Sequence, residues 1–312
     1  MSISLRQHAE GYLAMRRSLG FKLDIFEQLV FSFIAYLEDA QVTVITTDLA
    51  VAWARATPRS TQEARWSRRL MVVRIFARYM QVFDPATEVP AADILAAHYG
   101  RATPHLYNPA QTIALLATTA RLKPRLRRYT WETLIGLLSV SGLRAGEASR
   151  LDDDDVDLAN GVLLVKDSKF GKSRDVPLHE TAITALSDYA RVRDRLRVNA
   201  ASCAFFISGR GTRLNVSNLD QTFAVLREHA GLRAAGGTRQ PRLHDFRHSF
   251  ATATLTDWYR AGEDVQASLP LLSTYLGHAD PKSTYWYLTG APELLELAAK
   301  RITGLIGGTT DE

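Results

Sequence analysis

The first third of the chain carries a helical rhythm of apolar residues. Between Leu23 and Leu37, Ile25, Leu29, Phe33 and Leu37 recur at four-residue spacing, with Phe26, Val30 and Ile34 beside them. That pattern predicts a helix with a broad apolar face. Ser60-Thr61-Gln62-Glu63 is a capping-box pattern that leads into a second, arginine-rich helix running to about Met80, with Trp66, Leu70, Val73 and Ala77 as its expected buried stripe. Asp84-Pro85 and Val89-Pro90 interrupt the rhythm. The segment from Gly100 to Pro109, with Pro104 and Pro109 in its far half, reads as a linker expected to flex about Gly100 to Tyr107. Asn108-Pro109-Ala110-Gln111 then restarts a helix with a cap, a proline at the first position and a glutamine at the third.

Beyond that point the pattern becomes mixed. Helices are expected near 110–120 and 130–140, followed by a strand at Val162 to Val165, a turn at Phe170-Gly171 and a short strand at Asp175 to Leu178. Helical patterns return over Thr181 to Arg195, Asn218 to Ala230, His244 to Tyr259 and Pro281 to Leu288, with a last amphipathic stretch from Pro292 to Ile306. The expected fold is therefore mainly α with a small β-sheet. At 312 residues, two domains are natural: a helical one over 1–102, and a mixed one over 103–312 whose last part, 291–312, forms a tail.

Composition narrows the class. Apolar residues at 46% and charged residues at 23% describe an ordinary globular protein, and no apolar run approaches the roughly 18 residues of a membrane span. The opening residues lack the apolar core of a signal peptide, so a cytoplasmic location with no membrane partner is expected. Cys203, the single cysteine, excludes an internal disulfide and is expected to be a small buried apolar residue. A net charge of +5 acquires meaning from its distribution. Seven arginines and one acid lie between Arg55 and Arg78, and Ile94 to Trp131 contains no acid while carrying Arg101, Arg121, Lys123, Arg125, Arg127 and Arg128. Each cluster alone fits a solvated helix face. Two such stretches favour a surface that follows phosphates, with Arg65, Arg68 and Arg69 as candidate phosphate contacts.

Five local patterns then follow in order. Ser141-Gly142-Leu143-Arg144-Ala145-Gly146-Glu147 places a carboxylate three residues after an arginine, where it can hold the guanidinium. Lys169-Phe170-Gly171-Lys172-Ser173-Arg174 is a basic hairpin tip. In Arg242-Leu243-His244-Asp245-Phe246-Arg247-His248, His244 and Arg247 can point at one anion while Phe246 faces the core. Tyr275-Leu276-Gly277-His278 precedes Ser283-Thr284-Tyr285-Trp286-Tyr287, with Tyr287 nine residues after His278. Asp280 and Pro281 look like a helix cap and first position, leaving His278 in the loop and Tyr287 about two turns into the helix.

With these five patterns the chain resembles the phage-integrase, or tyrosine recombinase, family over residues 108 to 290. The preceding helical region is similar in size and character to that family's core-binding (SAM-like) DNA-binding domain. The resemblance implies that Arg144, Lys169, His244, Arg247 and His278 surround a scissile DNA phosphate and that Tyr287 is the nucleophile, with Lys172 as a further DNA contact. It also implies double-stranded DNA as partner, self-assembly into a tetrameric synapse, possible help from sister recombinases, and exchange of Pro292 to Ile306 between protomers.

The chemistry fits that assignment. Transesterification adds negative charge to the non-bridging oxygens, which two permanently charged guanidinium forks can hold. A phenol with an ordinary pKa of about 10 needs a proton acceptor, and the leaving 5′ oxygen needs an acid. His244 is assigned as acceptor, His278 as a phosphate hydrogen-bond donor and Lys169 as the acid. The phosphotyrosyl bond preserves the energy for rejoining, so neither metal nor other cofactor is required. Lys166 and Lys172 compete with Lys169, His248 with His244, and Tyr285 with Tyr287. The two tyrosines point about 200° apart on a helix, so one alone can enter a cleft. The alternatives are a type IB topoisomerase, an accessory DNA-binding protein without catalysis, and a metallohydrolase using His244, His248 and His278, the last disfavoured by the lack of a His-Glu-x-x-His pattern.

Overall fold

The computed structural model describes residues 4–56, 63–95, 103–166, 173–196, 202–234, 239–278, 280, 282–289 and 294. The chain divides into two compact units, Met1–Arg101 and Ala102–Glu312. Among the described residues no helix is long and apolar enough to cross a membrane.

The first unit is helical. Helix α1 (Leu5–Ser18) starts at Ser4, whose hydroxyl and backbone N–H form a reciprocal capping box with Gln7. Helix α2 (Asp24–Asp39) buries Val30, Phe33, Ile34 and Leu37 completely, whereas Ile25, expected on that face, is 60% exposed in the first turn and lies outside the buried stripe. Helix α3 (Thr47–Arg55), capped by the Thr46 hydroxyl, is an addition to the expected elements, because its nine residues give too few apolar repeats to read. Its Trp53 packs against Phe33 with ring centroids 5.2 Å apart. Helix α4 (Glu63–Met80) buries Leu70, Val73 and Ala77 as expected, but Trp66 only in part. The first three residues of the expected capping box, Ser60 to Gln62, lie outside the described residues.

The second unit begins on the expected cap. Asn108 Oδ1 accepts from the Gln111 N–H at 2.8 Å, and the Gln111 side chain accepts from the Asn108 N–H at 3.2 Å, starting α5 (Pro109–Thr118). The expected flexible linker ends earlier than its prolines suggest. Tyr107 stacks on Phe246 at 4.2 Å, its N–H donates to Ser249 and its hydroxyl to the Arg242 carbonyl. The far end of the linker is thus pinned, while Gly100 to Ala102 fall outside the described residues.

Helix α6 (Arg125–Ser141) fills the middle of this unit with Trp131, Leu134, Ile135, Leu137 and Leu138, and ends at Gly142 in the left-handed conformation, φ +59°. A Cβ at Gly142 would meet a Phe250 ring carbon at 2.5 Å and Leu276 at 2.9 Å, so both backbone and space require glycine there. After the short α7 (Ala145–Ala148), strands β1 (Val156–Asp157), β2 (Val162–Val165) and β3 (Arg174–Pro177) form an antiparallel sheet in the order β1-β2-β3. Leu163 opposite Val176 and Val165 opposite Arg174 set the β2–β3 register. Leu163, Val165 and Val176 face the core.

Helices α8 (Glu180–Leu196), α9 (Val216–His229) and α10 (Asp245–Arg260) lie where periodicity places them, within a few residues. Helix α11 (Val265–Leu276), like α1 and α3, is an addition to the expected elements: Pro270 sits inside it and argues against a helix in sequence, although Val265, Leu269, Leu272 and Leu276 form a buried stripe. Helix α12 (Lys282–Thr289) starts one residue after the expected first position, Pro281, which itself lies outside the described residues. Cys203 is exposed, contrary to expectation. Its thiol donates to Asp152 at 3.2 Å at the surface, so local polar partners outweigh the usual preference of cysteine for the core.

Candidate active site

Three chain breaks in regular structure meet at one place: the turn after α6, the N-terminal edge of α10 and the loop between α11 and α12. Arg144 is the residue before α7. Its N–H donates to Glu147 Oε2 at 3.0 Å, and its guanidinium to Glu147 Oε1 at 2.5 Å and to the Gly277 carbonyl at 3.3 Å. Glu147 is 3% exposed, so this is a buried carboxylate fixing an arginine rather than a surface ion pair.

Glu147 has a second partner that the sequence does not reveal. Arg174, on β3, contacts both Glu147 oxygens at 3.3 and 3.0 Å and donates through Nε to the Tyr275 carbonyl at 2.8 Å. Gly277 (φ +67°) lies directly against that guanidinium, where a Cβ would stand 2.6 Å from Nη1. Burial alone would raise the Glu147 pKa. The hydrogen bonds from Arg174 and Arg144, with their charges, reverse this and hold it at about 2. Arg174 therefore ties β3 to both the Arg144 support and the turn carrying His278. A basic residue next to a hairpin gives no sequence signal for such a role.

Arg247, on the first turn of α10, is 1% exposed. Its guanidinium donates to the Gly142 carbonyl at 2.9 Å and the Leu276 carbonyl at 2.6 Å, with the Tyr287 side chain close by. Burial and the neighbouring Arg144 charge lower its pKa to about 10, so it stays a cation at neutral pH. Two like charges held this close favour an anion between them.

Tyr287 and Tyr285 separate as the helical geometry requires. Tyr287 is 4% exposed and faces the cluster, whereas Tyr285 is 53% exposed. The Tyr287 ring meets His248 at 5.4 Å, His278 at 5.9 Å and Trp286 at 5.8 Å. His244 has no such contact with Tyr287. It stands edge-on to His248 at 5.0 Å, so the imidazole nearest the phenol is His248, the competitor of His244 for the acceptor role. The consecutive positions Arg247 and His248 are legible in the sequence, but which face of α10 each imidazole occupies is not.

All three histidines are held neutral. Although His244 keeps an exposed edge, burial of its ring and the charges of Arg247, Arg242 and Arg144 push its pKa down to about 4. Burial, then His244 and Arg242, push His248 to about 3, and burial with Arg247, Arg144 and Arg174 push His278 to about 4. Unfolded histidines protonate near 6.5, so below that pH the unfolded chain binds more protons than the folded one. Stability is then complete above about pH 6.5 and falls as pH drops toward 4. Thermal unfolding should show a lower melting temperature at about pH 5 than at about pH 7.5; a level value would mean that these rings are solvated.

The remaining candidates fall elsewhere. Lys169 and Lys172 lie outside the described residues, as does the expected turn at Phe170-Gly171. Lys166, a competitor for the acid role, is bound to Asp155 at 2.5 Å. In the first unit Arg65 and Arg68 are exposed on α4, but Arg69 stacks 3.7 Å from the Trp53 ring and donates to the Trp53 carbonyl at 2.8 Å. That internal engagement distinguishes it from the other two. An apolar hollow of about 530 Å³ between α6 and α8 lies away from the cluster, whose charged groups suit a polyanion rather than a small enclosed ligand.

The sequence model of the phage integrase family matches residues 108–293, and the chain belongs to that family, the tyrosine recombinases. It is 45% identical, over 96% of its length and 97% of the relative's, to a Sinorhizobium fredii protein carrying the provisional name integrase/recombinase y4rB. It is also 34% identical, over 70% of its length and 67% of the relative's, to tyrosine recombinase XerC of Alcanivorax borkumensis. The fold matches the Tn1549 transposon integrase in complex with transposon right-end DNA (TM-score 0.66, 16% identity, 97% of this chain and 100% of that one). It likewise matches the XerH site-specific recombinase bound to palindromic difH substrate (TM-score 0.63, 20% identity, 96% and 84%).

Proposed function

We propose that this chain is a site-specific DNA recombinase, an integrase of a mobile genetic element, that cuts and rejoins strands through a 3′-phosphotyrosyl intermediate. The observation that carries the reading is the buried Tyr287 ring stacked beside His278, on a turn whose Leu276 and Gly277 carbonyls are held by Arg247 and Arg144. Tyr287 Oη attacks the phosphorus and the P–O5′ bond breaks. Arg144 and Arg247 hold the charge that grows on the non-bridging oxygens, and His278 donates a hydrogen bond to one of them. His244 accepts the phenolic proton by way of His248, whose ring meets both, and Lys169 protonates the departing 5′ oxygen. Attack by a 5′ hydroxyl from another strand reverses these steps. The 45% relative named as an integrase/recombinase disfavours the topoisomerase alternative. A nicked duplex carrying the cognate site should yield a denaturation-resistant protein–DNA adduct; its absence would refute the reading.

The reading extends to assembly. The first unit and the catalytic unit would grip a duplex as a clamp, and four protomers would form the synapse; in the segment 291–312 the one described residue, Leu294, is buried in its own unit's core, so the part passed to a neighbour would lie beyond it. The protein would act in the cytoplasm at the nucleoid. Arg65 and Arg68, exposed on α4, are the phosphate contacts of the clamp, with Arg69 supporting them through Trp53. Neutralising Arg65, Arg68 and Arg69 together should weaken DNA binding and flatten its dependence on salt, by about 0.9 in logarithmic slope for each lost phosphate contact. Unchanged affinity and slope would remove α4 from the clamp.

A further inference from the structure

We propose that the Thr284 hydroxyl is a positioning group that selects the tautomer of His278, donating to Nδ1 so that Nε2 bears the hydrogen offered to the scissile phosphate. The inference rests on the recombinase reading of the site and adds a residue to it.

Thr284 lies on α12, three residues before Tyr287, and is 1% exposed. Its Oγ1 is 2.7 Å from His278 Nδ1, and among the described residues this is the one hydrogen bond it makes. Threonines inside helices often donate instead to the carbonyl four residues earlier. Thr254 and Thr274 do so here, to Phe250 and Pro270, each at 2.9 Å. Thr284 turns away from its own helix toward the loop, and so bridges the element carrying the nucleophile to the turn carrying the histidine.

A neutral imidazole has one N–H, and the bond made by one nitrogen decides whether the other can donate. If Nδ1–H donated to Thr284, Nε2 would turn a lone pair toward a phosphate oxygen, which repels it. If Thr284 donates, Nε2–H faces the anion. The choice matters because His278 is neutral at pH 7 before DNA binds, burial and the arginines around it holding its pKa at about 4. The ring is otherwise well fixed: the backbone N–H of His278 donates to the Ser273 carbonyl at 3.0 Å, and its face lies at 21° to the Tyr287 ring. Orientation is set by the fold, and the proton's position is left to the hydroxyl.

The experiment uses the full chain and two variants. Thr284→Val keeps the shape and removes the donor, and should form the covalent adduct about 10- to 100-fold more slowly, the usual effect of losing a partner that orients a histidine, with DNA affinity unchanged. Thr284→Ser restores the hydroxyl and should recover a rate close to wild type. Nitrogen-15 spectra of the free protein at neutral pH should show His278 as the Nε2–H form, and as a mixture in Thr284→Val. A rate for Thr284→Val equal to wild type, failure of serine to rescue, or a His278 ring found as Nδ1–H or doubly protonated would overturn the proposal. The tautomer is readable whether or not strand cleavage occurs, so absence of any adduct from wild-type protein would count against the recombinase reading alone.

Discussion

Arg247→Lys is expected to slow covalent strand cleavage by about 10²- to 10³-fold while leaving DNA affinity within a few-fold of wild type, the usual scale for losing one preorganised donor to a developing oxyanion. The charge survives the exchange and the fork does not. In the resting site one guanidinium holds two carbonyls at once, those of Gly142 and Leu276, with the Tyr287 side chain close by. An ammonium on a flexible stem cannot keep those bonds and also offer a planar pair of donors to phosphate. Lysine is the informative substitution because an apolar replacement would confound the result. It would leave two buried carbonyls without a donor, costing about 1–3 kcal/mol each, and would destabilise the turn after α6. Single-turnover adduct formation on a nicked substrate is the measurement, and a rate within about threefold of wild type would remove Arg247 from the reacting centre.

The second large effect belongs to Tyr287. Tyr287→Phe removes the attacking oxygen and keeps the ring that packs against His248, His278 and Trp286, so the fold and DNA binding should persist while adduct formation disappears. Tyr285→Phe should retain the adduct, because Tyr285 points to solvent on the opposite side of α12. The pair of variants is a control for helix stability as well as for chemistry, since both remove one hydroxyl from the same eight-residue helix.

Much of this site is legible in the amino-acid sequence. Arg144, His244, Arg247, His278 and Tyr287 stand at spacings that local rules translate into caps, turns and helix faces, and the Asn108 cap, β2, β3 and α8 to α10 follow from periodicity. What escapes is whatever depends on contacts far apart in sequence. Arg174 looks like one more basic residue at a hairpin, yet it holds a buried carboxylate 27 residues away and a carbonyl 101 residues away. His244 takes precedence over His248 on spacing, but spacing cannot say which imidazole the Tyr287 ring will meet. The exposed Cys203 and the internally bound Arg69 are the same limitation seen at the surface: average residue behaviour yields to one particular partner, Asp152 for the thiol and Trp53 for the guanidinium. The proline inside α11 conceals a helix whose apolar stripe is otherwise regular.

The most direct test of the central claim is to trap the reaction on a nicked suicide substrate carrying the cognate site, in EDTA, and to map the DNA-linked peptide by mass spectrometry. A phosphoryl group on Tyr287, joined to the 3′ side of the cut and formed at an undiminished rate without divalent metal, is the predicted result, because guanidinium groups rather than a metal hold the phosphate. Linkage to Tyr285 would contradict the choice of nucleophile, and an adduct lost on chelation would contradict the mechanism.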